Sequence, residues 1–352
     1  MIHIHRSLGT IFEIFDTKTG ISVRIEGTHN HLSWREEGPE LLDISITNYC
    51  ERDCEFCYRE SNTNGIHMPE ELFLSILDQA AEIGVKQIAL GGGNPNQHPH
   101  FVNFLKAARE RNIIPSYTTN GQGMTREIYI ATKKYAGAVA VSWYAPYEEA
   151  IAVVNQCNNF MIPVNLHFLL SDQNVEEAIN FLEKGREFLK KINAIIFLNY
   201  KPLGRVTYKG LRENEKVPYL FEKAFSVTEC KIGFDSCMIS YLTNKQDMVD
   251  SDSIDYCEAG RYSAFISEEG FMLPCSFMSQ SYCTNTESIA LNSIKTIWKN
   301  NHRFNMIRHR LGVIDENDRN RSICKDCKEY DFCHGGCPCF DINRCYKGAT
   351  IE

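Results

Sequence analysis

Three cysteines stand together early in the chain, as Cys50-Glu-Arg-Asp-Cys54-Glu-Phe56-Cys57. Thiolates are soft ligands for zinc and for iron–sulfur clusters, and three on one short loop can hold three corners of a metal site. No fourth cysteine lies nearby. One coordination position is therefore left to a small molecule, as in catalytic metal sites, or to a distant residue that completes a zinc site. A second, longer set follows. Cys257 is separated by twelve residues from a Gly270-x4-Cys275 unit, then come Cys324-x2-Cys327-x5-Cys333-x3-Cys337, Cys339 and Cys345. The Gly335-Gly336 pair before Cys337 allows the backbone to turn tightly around a cluster. A zinc ribbon built from Cys324, Cys327, Cys333 and Cys337 is the competing reading of that stretch.

The distribution of cysteine supports metal. Of 15 in 352 residues, four precede residue 200 and eleven follow it. An odd number cannot pair completely within one chain. The N-terminus lacks a secretory pattern, and no apolar run approaches the roughly 18–20 residues of a membrane span. A cytoplasmic protein follows, in a compartment that keeps thiols reduced. The formal charge of −8 argues against a general nucleic-acid or anionic-membrane binder. Neither is expected as a partner.

Short apolar runs alternate with amphipathic stretches. Candidate strands are Leu41–Thr47, Lys86–Leu90, Ile113–Thr118, Gly137–Trp143, Pro163–Leu169 and Ala194–Leu198. Helical patterns lie between them, the first opening at Pro69-Glu70-Glu71 with an apolar face of Leu72, Leu74, Ile76, Leu77, Ala80 and Ala81. This is an α/β chain of βαβ units, with a parallel sheet and helices outside it. Six units are too few for the closed eight-stranded barrel, so an open partial barrel or a doubly wound sheet is expected. The division runs 1–35 for an N-terminal β-hairpin extension, 36–225 for the βα region and 226–352 for a bridging region and the cysteine-rich part. The cysteine loop follows the first strand, at the carboxyl end where parallel sheets form ligand sites.

With an aromatic Phe56 before its last cysteine, this loop resembles the CxxxCxφC signature of the radical S-adenosylmethionine (radical SAM) superfamily. The resemblance implies a partial (βα)6 TIM-like barrel. It also implies a [4Fe–4S] cluster on Cys50, Cys54 and Cys57, whose open iron chelates S-adenosylmethionine, and reductive cleavage to a 5′-deoxyadenosyl radical that abstracts a substrate hydrogen. Gly91-Gly92-Gly93-Asn94-Pro95 resembles the family's GGE(P) turn, which supports the SAM amino group, with Asn94 departing from the usual Glu. Asn120, in Thr118-Thr119-Asn120-Gly121, Ser142, Asn165 and His167 fall where the family touches SAM. Arg205, in Pro202-Leu-Gly-Arg205, resembles a residue of the final barrel loop that meets a SAM or substrate carboxylate.

The later cysteines resemble the SPASM extension of radical SAM enzymes, which binds one or two auxiliary [4Fe–4S] clusters. Carried over, Cys257, Cys275 and Cys337 serve the first cluster, and Cys324, Cys327, Cys333 and Cys345 the second. The fourth ligand of the first cluster falls to Cys237, Cys283 or Cys339, or its place is open to substrate. SPASM proteins mostly modify peptides. The relatives that mature sulfatases carry an Asp after the Gly-x4-Cys cysteine, where this chain has Ser276, which speaks against that oxidase reading.

The leading expectation is thus a maturase of a ribosomally made peptide that forms a C–C or thioether crosslink, an oxidoreductase reaction. Its partners are a precursor peptide with a leader, which can add to an edge strand of the N-terminal hairpin, and an electron donor such as flavodoxin or ferredoxin. The alternatives are an epimerase with Cys237 as catalytic hydrogen donor, and a non-catalytic iron–sulfur or zinc protein.

Overall fold

The computed structural model describes residues 2–6, 11–16, 22–26, 34–243, 254–278, 283–314, 324 and 326–343. At the N-terminus β1 (Ile2–Arg6), β2 (Ile11–Asp16) and β3 (Ser22–Glu26) form an antiparallel sheet in that order. The expected hairpin is β2–β3, and β1 extends it by one strand.

The six expected strands are present as β4 (Leu41–Thr47), β5 (Gln87–Gly92), β6 (Ile114–Thr119), β7 (Ala138–Ser142), β8 (Val164–Leu170) and β9 (Ala194–Asn199). They lie side by side in chain order and pair in parallel. Helices α1 (Glu70–Glu82), α2 (Phe101–Glu110), α3 (Arg126–Tyr135), α4 (Glu148–Asn159) and α5 (Val175–Lys184) make the crossovers, with a short α6 (Arg186–Leu189) before β9. The sheet continues beyond the count of six at both edges. Strand β10 (Lys231–Phe234) pairs in parallel with β9, and β11 (Ser263–Ile266) in parallel with β4, followed by antiparallel β12 (Met272–Leu273). The strand order runs from β10 to β12 without closure, an open partial barrel. The later residues thus complete the sheet from either side.

Burial along β4 explains how the sheet presents chemistry. Leu42, Ile44 and Ile46 are fully buried apolar residues, while the alternate positions Asp43, Ser45 and Thr47 are polar. Alternation sends one set to the helices and the other to the concave face. Helix α1 buries Phe73, Ile76, Leu77 and Ala80, a stripe at intervals of three and four residues. Phe73, outside the expected face, is its centre and stacks on Phe104 at 3.9 Å, whereas Ala81 is exposed. The 100° step per residue places Phe73 above Ile76 and Leu77 and turns Ala81 away.

His98, before α2, is 4% exposed and bonded at both ring nitrogens, to the Met68 carbonyl at 3.0 Å and from the His100 N–H at 3.0 Å. Burial lowers its pKa from 6.5 to about 4. The folded protein keeps the ring neutral to about pH 4, whereas the unfolded chain protonates it from about 6.5. Protons therefore favour unfolding across that window, and the loss levels off below it. His98→Gln will flatten the decline, by about 1–2 kcal/mol between pH 7 and 5. Denaturant titration of both proteins at the two pH values checks this. Parallel pH slopes would refute it.

Candidate active site

The carboxyl ends of β4 to β10 converge on one cavity of about 410 Å³. Cys50, Cys54, Phe56 and Cys57 line it from the loop after β4. Gly91, Gly92 and Gly93 line it from β5, Thr118 and Asn120 from β6, Ser142 and Tyr144 from β7, and His167 from β8. Lys201, Asp235, Ser276 and Phe277 form a further part of its wall. All three cysteines of the first motif and seven of the ten expected cofactor-contact residues therefore meet in one place.

The cysteine loop is held by a dense set of contacts. The Asn120 amide donates to the Cys50 sulfur at 3.3 Å, as does the Arg52 N–H at 3.5 Å, and Tyr144 hydrogen-bonds Cys54. Donors of this kind stabilise a thiolate. Burial otherwise pushes the Cys50 and Cys54 thiols up. The Arg52 guanidinium bonds the Pro146 carbonyl at 2.8 Å, lies 4.8 Å from the Tyr144 ring centre and pairs with Glu149 at 3.4 Å. Phe56 meets Tyr144 edge-on at 5.0 Å. Burial lowers the His167 pKa to about 4, so a neutral imidazole faces the cavity, 3.3 Å from the Thr118 hydroxyl.

Three expected cofactor contacts are engaged elsewhere and do not line this cavity. Asn94 is fully buried, donating to the Gln122 carbonyl at 2.9 Å and accepting from the Thr119 hydroxyl and Asn120 N–H, each at 3.2 Å. It ties the glycine turn to the turn after β6. That tie needs an amide, which donates and accepts at once, where a carboxylate only accepts. Arg205 braces the cysteine loop from behind, bonding the Cys54 carbonyl at 2.7 Å, the Ser61 carbonyl at 2.8 Å and Asp53 at 2.7 Å. Asn165 shares the face of His167 but sits at the opposite end of β8, where it accepts from Asn193 at 2.8 Å. Two residues per step along one face carry it away from the carboxyl end.

Lys201 and Asp235 are additions that sequence reasoning passed over. Lys201 follows β9, is 4% exposed, pairs with Asp235 at 2.8 Å and stands 4.5 Å from the Phe277 ring centre. Burial dehydrates the Lys201 ammonium, but the adjacent Asp235 carboxylate more than offsets this and pushes its pKa up. The available signal was a lysine immediately beyond a strand's carboxyl end. Asp43, on the concave face of β4, also lines the cavity, and burial raises its pKa to about 6.

The second motif is described in part. His334, Gly335 and Gly336 take successive left-handed conformations, and the Asn343 side chain accepts from the Cys337 N–H at 2.9 Å. A Cβ on Gly336 would lie 2.3 Å from that same Asn343 oxygen, so glycine is required there. Cys324 closes a turn by accepting from the Cys327 N–H at 3.3 Å, and Cys333 ends the short helix Tyr330–Cys333. Cys345 lies outside the described residues. Among the described residues, no three His, Cys, Asp or Glu side chains converge as a single ion requires.

The site has the features of an iron–sulfur enzyme that binds a small molecule beside its cluster: three thiols at the carboxyl ends of a parallel sheet, next to a glycine cradle. Matches to family models agree, with the radical SAM superfamily over residues 44–201 and the SPASM iron–sulfur cluster-binding domain over residues 257–328. Residues 44–201 thus form a radical SAM domain, and residues 257–328 carry a SPASM domain. Among its relatives, PqqA peptide cyclase of Rhizobium meliloti is 21% identical over 86% of this chain and 82% of its own. Mycofactocin maturase MftC of Mycobacterium tuberculosis is 22% identical over 86% and 78%. The structure of Streptococcus suis SuiB bound to S-adenosylmethionine superposes with a TM-score of 0.69 at 21% identity, over 88% of this chain and 74% of that one.

The cofactors are [4Fe–4S] clusters and S-adenosylmethionine, and the residues present fit them. The cavity offers three thiols with hydrogen-bond donors aimed at two of them. Gly91 borders the cavity, and a Cβ built on it would meet nothing within 4 Å, so the missing side chain leaves room for a ligand. Among the described residues no helix is long and apolar enough to cross a membrane.

Proposed function

We propose that this protein is a maturase of a ribosomally made peptide, an oxidoreductase that forms a C–C or thioether crosslink in the reducing cytoplasm. Its partners are a precursor peptide with a leader and a flavodoxin- or ferredoxin-type electron donor. Cys50, Cys54 and Cys57 hold the cluster, and Gly91, Gly92, Gly93, Asn120, Ser142 and His167 surround S-adenosylmethionine. The edge strands β1 and β3 offer a docking line for the leader. One observation carries the reading: the cavity that contains the three-cysteine loop is walled by Ser276 and Phe277, which directly follow the Gly270-x4-Cys275 unit. A substrate held there lies between the two cysteine sets. PqqA peptide cyclase, mycofactocin maturase and SuiB, solved with its precursor peptide SuiA, support the substrate class.

When bound, the reduced cluster and S-adenosylmethionine supply a 5′-deoxyadenosyl radical for hydrogen abstraction. The chain supplies the surroundings. Phe56, Tyr144 and Phe277 shield the cavity, and the Lys201–Asp235 pair gives its wall a fixed charge arrangement. A crosslink removes two hydrogen atoms from the peptide. After the first abstraction one electron, which an auxiliary [4Fe–4S] cluster would accept, and one proton remain to leave the peptide. Asp43, with a pKa near 6, is ionised at neutral pH and accepts that proton. Asp43→Asn will lower crosslinked product about 10²-fold, the usual weight of a positioned base. Abortive 5′-deoxyadenosine formation will change less than about 2-fold, because Asp43 takes no part in it. Product and nucleoside quantified in one assay decide this, and a proportional fall in both would remove Asp43 from the role.

Mass spectrometry of the co-expressed precursor peptide tests the function as a whole. The expected change is a loss of two hydrogens. An unchanged mass with deuterium taken up from solvent would show epimerisation and overturn the crosslink.

A further inference from the structure

Four thiols from separate stretches meet between the sheet and the C-terminal region, and one lies outside the cysteine pattern of residues 257–337. Cys237 sits on the turn Ser236–Met238, just after β10. Its thiol lies beside that of Cys337. Cys257 and Cys275 each lie within electrostatic reach of both Cys237 and Cys337. Cys257 and Cys275 also pack against one apolar group, Ala259, Ile307, Leu311 and Val313. Of the other two cysteines able to complete the set, Cys283 stands among Arg303, Glu287 and Glu269. Cys339 touches Cys337 and packs on the same apolar group as Cys257 and Cys275, but it also borders a second cavity, with Arg310 and Phe340, and the thiols that act most on Cys257 and Cys275 are those of Cys237 and Cys337.

We propose that Cys237 joins Cys257, Cys275 and Cys337 as the fourth protein ligand of the first auxiliary [4Fe–4S] cluster, closing that cluster to substrate. Four cysteines are the complete complement of such a cluster. Hydrogen bonds to its turn hold Cys237 in position. The Asp235 N–H donates to the Phe197 carbonyl at 2.9 Å, and the Asn199 amide donates to the Cys237 carbonyl at 3.2 Å. The ligand therefore comes from the barrel side, two residues beyond the cavity-lining Asp235. Two functional consequences follow. A ligating thiolate carries no S–H, so Cys237 cannot return a hydrogen atom to a peptide radical, and epimerisation loses its donor. A cluster with four thiolates has no vacant iron to bind a substrate atom, which leaves it electron transfer. The assignment rests on the SPASM domain and not on the peptide chemistry, so failure of the crosslink would leave it standing.

The test uses the anaerobically reconstituted full chain without peptide. Iron content and the EPR spectrum of the reduced protein are compared for wild type, Cys237→Ser, Cys283→Ser and Cys339→Ser. Cys237→Ser is expected either to lose about four irons per chain or to keep them with an altered auxiliary signal that shifts on addition of imidazole, as an opened site would. Its cluster at Cys50, Cys54 and Cys57 should keep the spectral change caused by S-adenosylmethionine, which reports an intact barrel. Cys283→Ser and Cys339→Ser should match wild type. A Cys237→Ser protein with wild-type iron and spectrum would overturn the assignment, as would loss of the cluster in either of the other variants. Wild type gives an independent check should Cys237→Ser fail to fold. With S-adenosylmethionine saturating the cluster at Cys50, Cys54 and Cys57, imidazole should leave the auxiliary signals unmoved, and a shift would show an open auxiliary iron.

Discussion

Cys54→Ala will abolish 5′-deoxyadenosine formation, by at least about 10³-fold, equivalent to about 4 kcal/mol of barrier. Cys54 lines the same cavity as Cys50 and Cys57, on a loop with no other cysteine. Removing it leaves two thiolates, too few to hold a cluster that must also present a vacant position. The loop itself should persist, because apart from the Tyr144 contact its supports do not use the Cys54 thiol. Arg205 binds the Cys54 carbonyl and Asp53, and Arg52 binds the Pro146 carbonyl. The far-ultraviolet circular dichroism spectrum should therefore match wild type while the nucleoside disappears from chromatograms. Persistence of the nucleoside at more than a few per cent would refute the assignment of these three residues.

Gly91→Leu will abolish S-adenosylmethionine binding in a folded protein. Gly91 borders the cavity, and a Cβ there has nothing within 4 Å to strike. A leucine is thus accommodated by the backbone and occupies the ligand's volume. Affinity should fall about 10²–10³-fold, about 3–4 kcal/mol, while thermal stability changes by less than about 1 kcal/mol. The neighbouring glycines behave differently. A Cβ on Gly92 would lie 2.0 Å from the Thr47 carbonyl oxygen, and one on Gly93 2.0 Å from that of Tyr49. Alanine at either should damage the fold as well as binding. Equilibrium dialysis with the reconstituted variants, beside their melting curves, separates the two cases. Near-normal binding by Gly91→Leu would show that the ligand lies elsewhere.

The legibility of this chain differed by feature. Strands β4 to β9 were readable within one or two residues, because each is a short stretch rich in Ile, Val, Leu or Ala bounded by turn residues. Strands β10 and β11 were not read, since each has four residues and belongs to the sheet only through pairing with β9 and β4. The contacts of Cys50, Cys54, Cys57, Asn120, Ser142 and His167 with one cavity could be anticipated from their places after successive strands. Asn94 and Arg205 show the limit of that argument. Each occupies a suggestive position, yet its side chain is committed to backbone partners that position alone does not reveal.

What the amino-acid sequence determined by itself was the chemistry. Cysteine spacing is a local property that specifies thiolate loops and a metal, and the alternation of short apolar runs with amphipathic stretches specifies the βαβ sheet that carries them. Tertiary structure decided which groups share a space. Lys201 and Asp235 are 34 residues apart and meet because β9 and β10 pair in parallel, ending at one level. Cys237 and Cys337 meet because the chain returns to both edges of the sheet. Contacts across such distances depend on register and closure, which no local pattern encodes.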